Sequence, residues 1–170
     1  PDVSMTITPL SPPSRPADTV FIRQDAAAIG IDQSVEFSFR DMWPPFWEGR
    51  SVASGDIDRD GDIDLVVAST RVGLYIYDND GTGQFTRRAT DIGPFSDKPV
   101  FNAVLADIDN DGWLDLILAT YLQGNHLVSN AEGRFDFVQA TAMPAPPDAI
   151  QTMSLALAAP DRAGALDIAL

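Results

Sequence analysis

Two short stretches concentrate the chemistry this chain could do. Asp56-Ile57-Asp58-Arg59-Asp60-Gly61-Asp62-Ile63-Asp64 places carboxylates at positions 1, 3, 5 and 9, with glycine at position 6. The pattern returns 51 residues on, from Asp107 through Asp109, Asp111 and Gly112 to Asp115. Over thirteen positions, residues 56–68 and 107–119 share eight identities. Alternating Asp side chains on a tightly curved backbone converge on one point, and glycine supplies the positive φ such a turn needs. Position 7 is Asp62 in one copy and Trp113 in the other, so it is read as offering its backbone carbonyl rather than its side chain.

A hard, all-oxygen cluster of this kind suits Ca2+, which accepts six to eight oxygens at irregular geometry, whereas Mg2+ demands a tighter octahedron. Transition metals would usually want His or Cys. Without a cation the carboxylates repel: a like-charge pair 4 Å apart costs roughly 4 kcal/mol at an effective dielectric of 20, before relaxation and screening. Two Ca2+ sites are therefore expected, one from Asp56, Asp58, Asp60, Asp62 and Asp64 and one from Asp107, Asp109, Asp111, Trp113 and Asp115. An EF-hand is excluded, because that loop needs Glu at position 12 and flanking helices, and Val67 and Leu118 stand there inside apolar stretches. A third copy begins at Ala159 and keeps only Asp161, Gly164 and Asp167, so it is expected to be weak or empty. Asp78 and Asp80 lie in a hairpin turn that explains them without a cation.

The elements that must position these loops read as strands. A strand at 51–55 leads into the first loop and an apolar strand at 63–69 leads out of it; 72–77 and 84–89 follow, joined by a turn at 78–83. The second copy repeats this at 103–106, 114–121, 126–129 and 134–139, with a turn at 130–133. Four antiparallel strands per period of about 50 residues is the build of a β-propeller blade. The fold class expected is all-β. The chain divides into a Pro-rich linker (1–19), a lead-in with possible blade strands (20–50), two calcium-loop blades (51–102 and 103–154) and the start of a third (155–170). Within the lead-in, strands are expected at 20–22 and 35–39, a helical turn ending at Gly30, and an aromatic, Pro-broken loop at 42–47.

Composition agrees. Of the 25 acidic residues 22 are Asp, a turn and cap former, and the chain carries 12 Gly and 13 Pro, so helix should be scarce. The formal charge of −14 argues against nucleic-acid and anionic-lipid partners. Cysteine is absent, which removes disulfides and thiolate metal sites. No apolar run reaches the length of a membrane-spanning helix. No Ser/His/Asp or Gly-rich phosphate motif is present, the one histidine, His126, falls in an expected strand, and Asp91, Asp97, Asp136 and Asp148 are scattered through turns. No catalytic residue is assigned. Trp43, Trp47 and Trp113 offer stacking surfaces for a glycan, but they do not repeat at the blade period.

The two Asp-x-Asp-x-Asp-Gly-x-x-Asp loops, each followed by a Leu-rich strand, resemble the FG-GAP/VCBS repeats of integrin-type β-propellers. The lead-in from Phe21 through Gly30-Ile31-Asp32 to Gly55-Asp56-Ile57-Asp58 is similar to bacterial proteins of the ASPIC/UnbV and cartilage-acidic-protein type. The resemblance implies a propeller, often of seven blades, with calcium in the loop between the first two strands of a blade, held by the Asp residues named above. The sequence departs from that pattern where a Gly-Ala-Pro segment should stand: Ala68-Ser69-Thr70 and Ala119-Thr120-Tyr121 take its place. Roughly three blades fall short of the four to eight a closed propeller takes, so the residues are expected to be the front of a longer propeller or to have their edges covered by another chain. The function expected is a non-enzymatic, calcium-stabilised, extracytoplasmic module that binds a protein or serves as a subunit of an assembly. The alternative is the propeller part of a polysaccharide-acting enzyme, or a lectin.

Overall fold

The computed structural model describes residues 23–33, 50–69, 73–120, 124–144, 156–158 and 167–169. The expected linker at 1–19, strands at 20–22 and 35–39, aromatic loop at 42–47 and third Asp loop before Asp167 lie outside them. Strands β1 (Arg50–Gly55), β2 (Asp64–Ser69), β3 (Gly73–Asn79) and β4 (Phe85–Arg87) form an antiparallel meander in that spatial order. A second four-stranded sheet runs β5 (Val100–Ala106), β6 (Asp115–Thr120), β7 (Asn125–Val128) and β10 (Thr141–Ala142). Between β7 and β10 a small hairpin is inserted, β8 (Asn130–Ala131) paired with β9 (Arg134–Phe135). β11 (Ala156–Ala158) and β12 (Asp167–Ala169) pair antiparallel about one repeat period beyond β5 and β6. The chain is all-β, and its two larger sheets have the build of propeller blades.

Period-two alternation decides what each strand buries. On β2, Val66 and Ala68 are buried while Leu65 and Val67 are only half-buried. β6 is buried along its whole length, as its unbroken Leu116-Ile117-Leu118-Ala119 run demands. The core lies between the sheets, where Val66, Ala68, Leu74 and Ile76 join Val100, Ala103, Leu116, Leu118 and Val128. Phe95 and Phe137 enter it from the short 3-10 turns Gly93–Phe95 and Phe137–Gln139, their ring centroids 6.0 Å apart. Fully burying a side chain of this size stabilises the fold by about 1.5–3 kcal/mol. β1 and β5 are tied directly: the Ser51 hydroxyl accepts from the Ala103 N–H at 2.9 Å and donates to the Ala103 carbonyl at 3.3 Å.

Two differences from the sequence reading have local causes. The outer strand of the second sheet, expected at 134–139, is instead Thr141–Ala142. The Asp136 carboxylate accepts from the N–H groups of Val138 and Gln139, which starts a 3-10 turn and drives Phe137 into the core. The turn expected at 130–133 narrows to Glu132-Gly133, both at positive φ (54° and 82°), the two-residue geometry that matches strand twist. The helical turn before Gly30 is present as Ala27–Ile29, with Gly30 at φ 89°. Gly30 backs onto the Phe85 carbonyl so closely that a Cβ would overlap it.

Candidate metal centre

Each Asp loop joins the first two strands of its sheet, the first lying between β1 and β2 and the second between β5 and β6. Gly61 and Gly112 sit at φ 96° and 90°, as the tight turn requires. Position 4 is left-handed as well, with Arg59 at 62° and Asn110 at 61°. Asparagine tolerates that conformation, so Asn110 was a legible signal, whereas Arg59 is not.

In each loop the structure gathers positions 1, 3 and 9: Asp56, Asp58 and Asp64 offer oxygens within 4.8 Å of one another, and so do Asp107, Asp109 and Asp115. Asp60 and Asp111 fall outside these trios. Their carboxylates accept from the N–H of Asp62 (2.9 Å) and of Trp113 (2.8 Å), so position 5 shapes the backbone at position 7. Position 1 does similar work, with Asp56 accepting from Gly61 N–H and Asp107 from Gly112 N–H. The Asp62 and Trp113 carbonyls carry no described contact that assigns them to the centre.

Among the loop carboxylates, the ninth position is the most deeply buried. Asp64 accepts from the N–H groups of Ile57 (3.0 Å) and Asn79 (2.9 Å). Asp115 accepts from Ile108 (3.1 Å) and Asn130 (2.9 Å). Burial raises the pKa of both carboxyls above the ordinary aspartate value; these backbone N–H groups oppose the rise, and neighbouring carboxylates add to it. Each is a clamp between its loop and the next hairpin before it is anything else. Asp78 and Asp80 are committed elsewhere: Asp78 pairs with Arg88 at 2.6 Å, and Asp80 accepts from the Thr82 N–H and hydroxyl and the Gln84 N–H. Asp80 is accordingly held below the usual carboxylate range, chiefly by the Thr82 hydroxyl.

Whether the residues fit a cation turns on atoms left without partners. Asp56 Oδ1 and Asp58 Oδ1 are buried and receive no hydrogen bond from the described residues, though both belong to the first trio. Buried carboxylate oxygens ordinarily have partners. Three convergent carboxylates, two of which carry a buried oxygen without a donor, fit a divalent cation of the calcium type.

Three residues that the loop pattern did not point to organise the surroundings. The Asn79 amide donates to the Ile63 carbonyl and the Asn130 amide to the Leu114 carbonyl, the equivalent position 8 of each loop. Both asparagines follow position 1 of their loop by 23 residues, a recurrence visible in the sequence. Arg88 pairs with Asp78, reaches Asp58 at 3.5 Å and donates to the Gly133 carbonyl at 2.7 Å. Its counterpart 51 residues on is Gln139, so no repeat signal marks it. Arg59 lies over the ring of Trp113 at 4.8 Å, bringing the two loops together. His126 packs edge-on against Phe95 at 5.1 Å. Among the described residues no helix is long and apolar enough to cross a membrane.

No curated protein and no solved structure matches the chain significantly. The family model for the FG-GAP-like repeat matches it twice, over residues 56–118 and 107–170, each match opening on the first Asp of a loop. Those spans cover more than half of the chain, which therefore belongs to the FG-GAP-like repeat family.

Proposed function

We propose that this chain is a propeller-type binding or scaffolding module in which two Ca2+ ions are structural. The observation that carries the reading is the pair of buried, donorless oxygens on Asp56 and Asp58, set beside Asp64 in a loop type that occurs twice. Asp56, Asp58 and Asp64 would hold one ion and Asp107, Asp109 and Asp115 the other; the remaining expected ligands, Asp60, Asp62, Asp111 and Trp113, would complete each shell through small shifts. The ion supplies charge neutralisation and rigidity; it takes part in no reaction. The loops then hold the leading strands of adjacent blades in place and leave the rest of the surface for a protein partner or neighbouring subunit. Exposed loop sites of modest affinity suit the millimolar calcium found outside the cytoplasm, so an extracytoplasmic setting belongs to the proposal.

Glycan binding is less well supported. Arg59 takes one face of Trp113, and the other two tryptophans lie outside the described residues. The His126 side chain packs against Phe95, which favours a structural role over a catalytic one. Calorimetric titration of the chelated chain with Ca2+ tests the metal reading: two ions bound per chain are expected, and absence of binding would sink it. A panel of polysaccharides then tests the module reading, which turnover of any of them would overturn.

A further inference from the structure

The two candidate centres are joined by an unbroken hydrogen-bonded path. Asp64 accepts from the Ile57 N–H at 3.0 Å; the other end of that residue, the Ile57 carbonyl, accepts from the Asn130 side-chain amide at 2.9 Å; the Asn130 backbone N–H donates to Asp115 at 2.9 Å. Position 9 of one loop thus reaches position 9 of the other through two residues that are 73 apart in the chain. Asn130 is 3% exposed and Ile57 fully buried, so water does not compete for these bonds. The orientation of the Asn130 amide is settled by chemistry, because its nitrogen faces two carbonyls, those of Ile57 and Leu114, and only the NH2 end can donate to both. The hairpin that carries Asn130 also leans on the first loop: a Cβ at Gly133 would come within 2.8 Å of the Asp58 Cβ, and Arg88 bonds to both residues.

We infer that Asn130 is a positioning residue for both centres and couples them, so that an ion in either loop raises the affinity of the other. The inference rests on the calcium reading above. An ion in the first loop fixes the Ile57-Asp58 peptide, which fixes the Asn130 amide, which orients Asp115. Ordering is then shared between the sites, and the second ion has less of it to impose. By linkage the effect is reciprocal. Through-space electrostatics acts in the opposite direction, since an ion in one loop repels an ion in the other.

Terbium is the probe, because Trp113 stands within the second loop and can sensitise its emission, and Ca2+ competition converts the signal to a calcium affinity. Asp56→Ala disables the first loop without touching the second repeat in any described contact. It should weaken binding at the second loop by about five-fold, the lower end of typical coupling between sites. Electrostatics alone predicts tighter binding, because the two charges of the lost ion outweigh the one carboxylate removed. In an Asn130→Ala background the same Asp56→Ala change should alter second-loop affinity by less than about two-fold, the coupling having lost its route. Should Asn130→Ala fail to fold, amide exchange in Asp109→Ala, with only the first loop competent, reads the same path: Ca2+ should slow exchange at the Asn130 backbone N–H. Terbium binding to neither loop would overturn both this inference and the calcium reading. Binding at the second loop that is unweakened by Asp56→Ala, a five-fold loss that persists without Asn130, or unchanged Asn130 exchange would overturn the coupling alone.

Discussion

Asp109→Ala separates a metal ligand from an ordinary turn residue. Without calcium the carboxylate contributes one exposed hydrogen bond, from the Asp111 N–H at 3.1 Å, which at such a site is worth about 0.5 kcal/mol. Against that bond stands repulsion within the trio. Carboxylate oxygens within 4.8 Å of one another repel by at least about 3 kcal/mol at an effective dielectric of 20, and solvent screening at exposed Asp109 leaves a small part of this. The two effects nearly cancel, and the melting temperature in chelator should move by no more than about 2 °C. With calcium at a hundred times its dissociation constant, a lost site forfeits about 2.7 kcal/mol. For a chain of 170 residues that corresponds to a fall of about 5–11 °C. Thermal melts in EDTA and in Ca2+ at a hundred times the dissociation constant given by the calorimetric titration measure both numbers. Equal falls in the two buffers would make Asp109 a turn residue only, and no fall in either would remove the second loop as an ion site.

Other consequences can be checked on the same material. Gly30→Ala should cost far more stability than Gly61→Ala, because both add left-handed strain of about 1–2 kcal/mol but only the Gly30 Cβ would meet backbone, the Phe85 carbonyl, whereas Gly61 faces open space; equal losses by denaturant melts would contradict the packing described. Leu118→Ala, in the strand buried along its whole length, should destabilise by about 2–5 kcal/mol, and Val67→Ala on the half-buried face of β2 by markedly less. Burial, with Lys98 adding to it, holds the His126 imidazole below its usual pKa. The unfolded chain therefore takes up this proton first: the stability due to neutral His126 is present above the unfolded value of about pH 6.5 and is lost progressively as the pH falls from there through the depressed folded value. The gap in melting temperature between the native chain and His126→Gln should narrow from pH 7.5 to about 5.5, and a constant gap would mean that His126 titrates normally.

Much of the candidate centre was legible because its determinants are local. Asp at alternate positions around a glycine encodes the curved loop within nine residues, and the stretches on either side encode the strands that hold it. The same locality explains the misplaced outer strand at 134–139. An alternating pattern was present there, but the capping side chain of Asp136 and the burial of Phe137 outweighed it. The spacing presents position 9 as one ligand among several; its clamp role is not local, because the Asn79 and Asn130 N–H groups reach it from 15 residues away, across a strand.

By itself the sequence determined the all-β class, the blade period and the two Asp loops, since each depends on the conformation of a short segment and on residue type. Only the tertiary structure decided which carboxylates meet, and that the two loops touch. Asn130 bonds to Ile57 across 73 residues, Arg88 to Gly133 across 45, and Arg59 stacks on Trp113 of the next repeat. These contacts arise where β1 packs beside β5 and one blade lies against the next. No spacing within a repeat specifies them, because they belong to the interface between repeats.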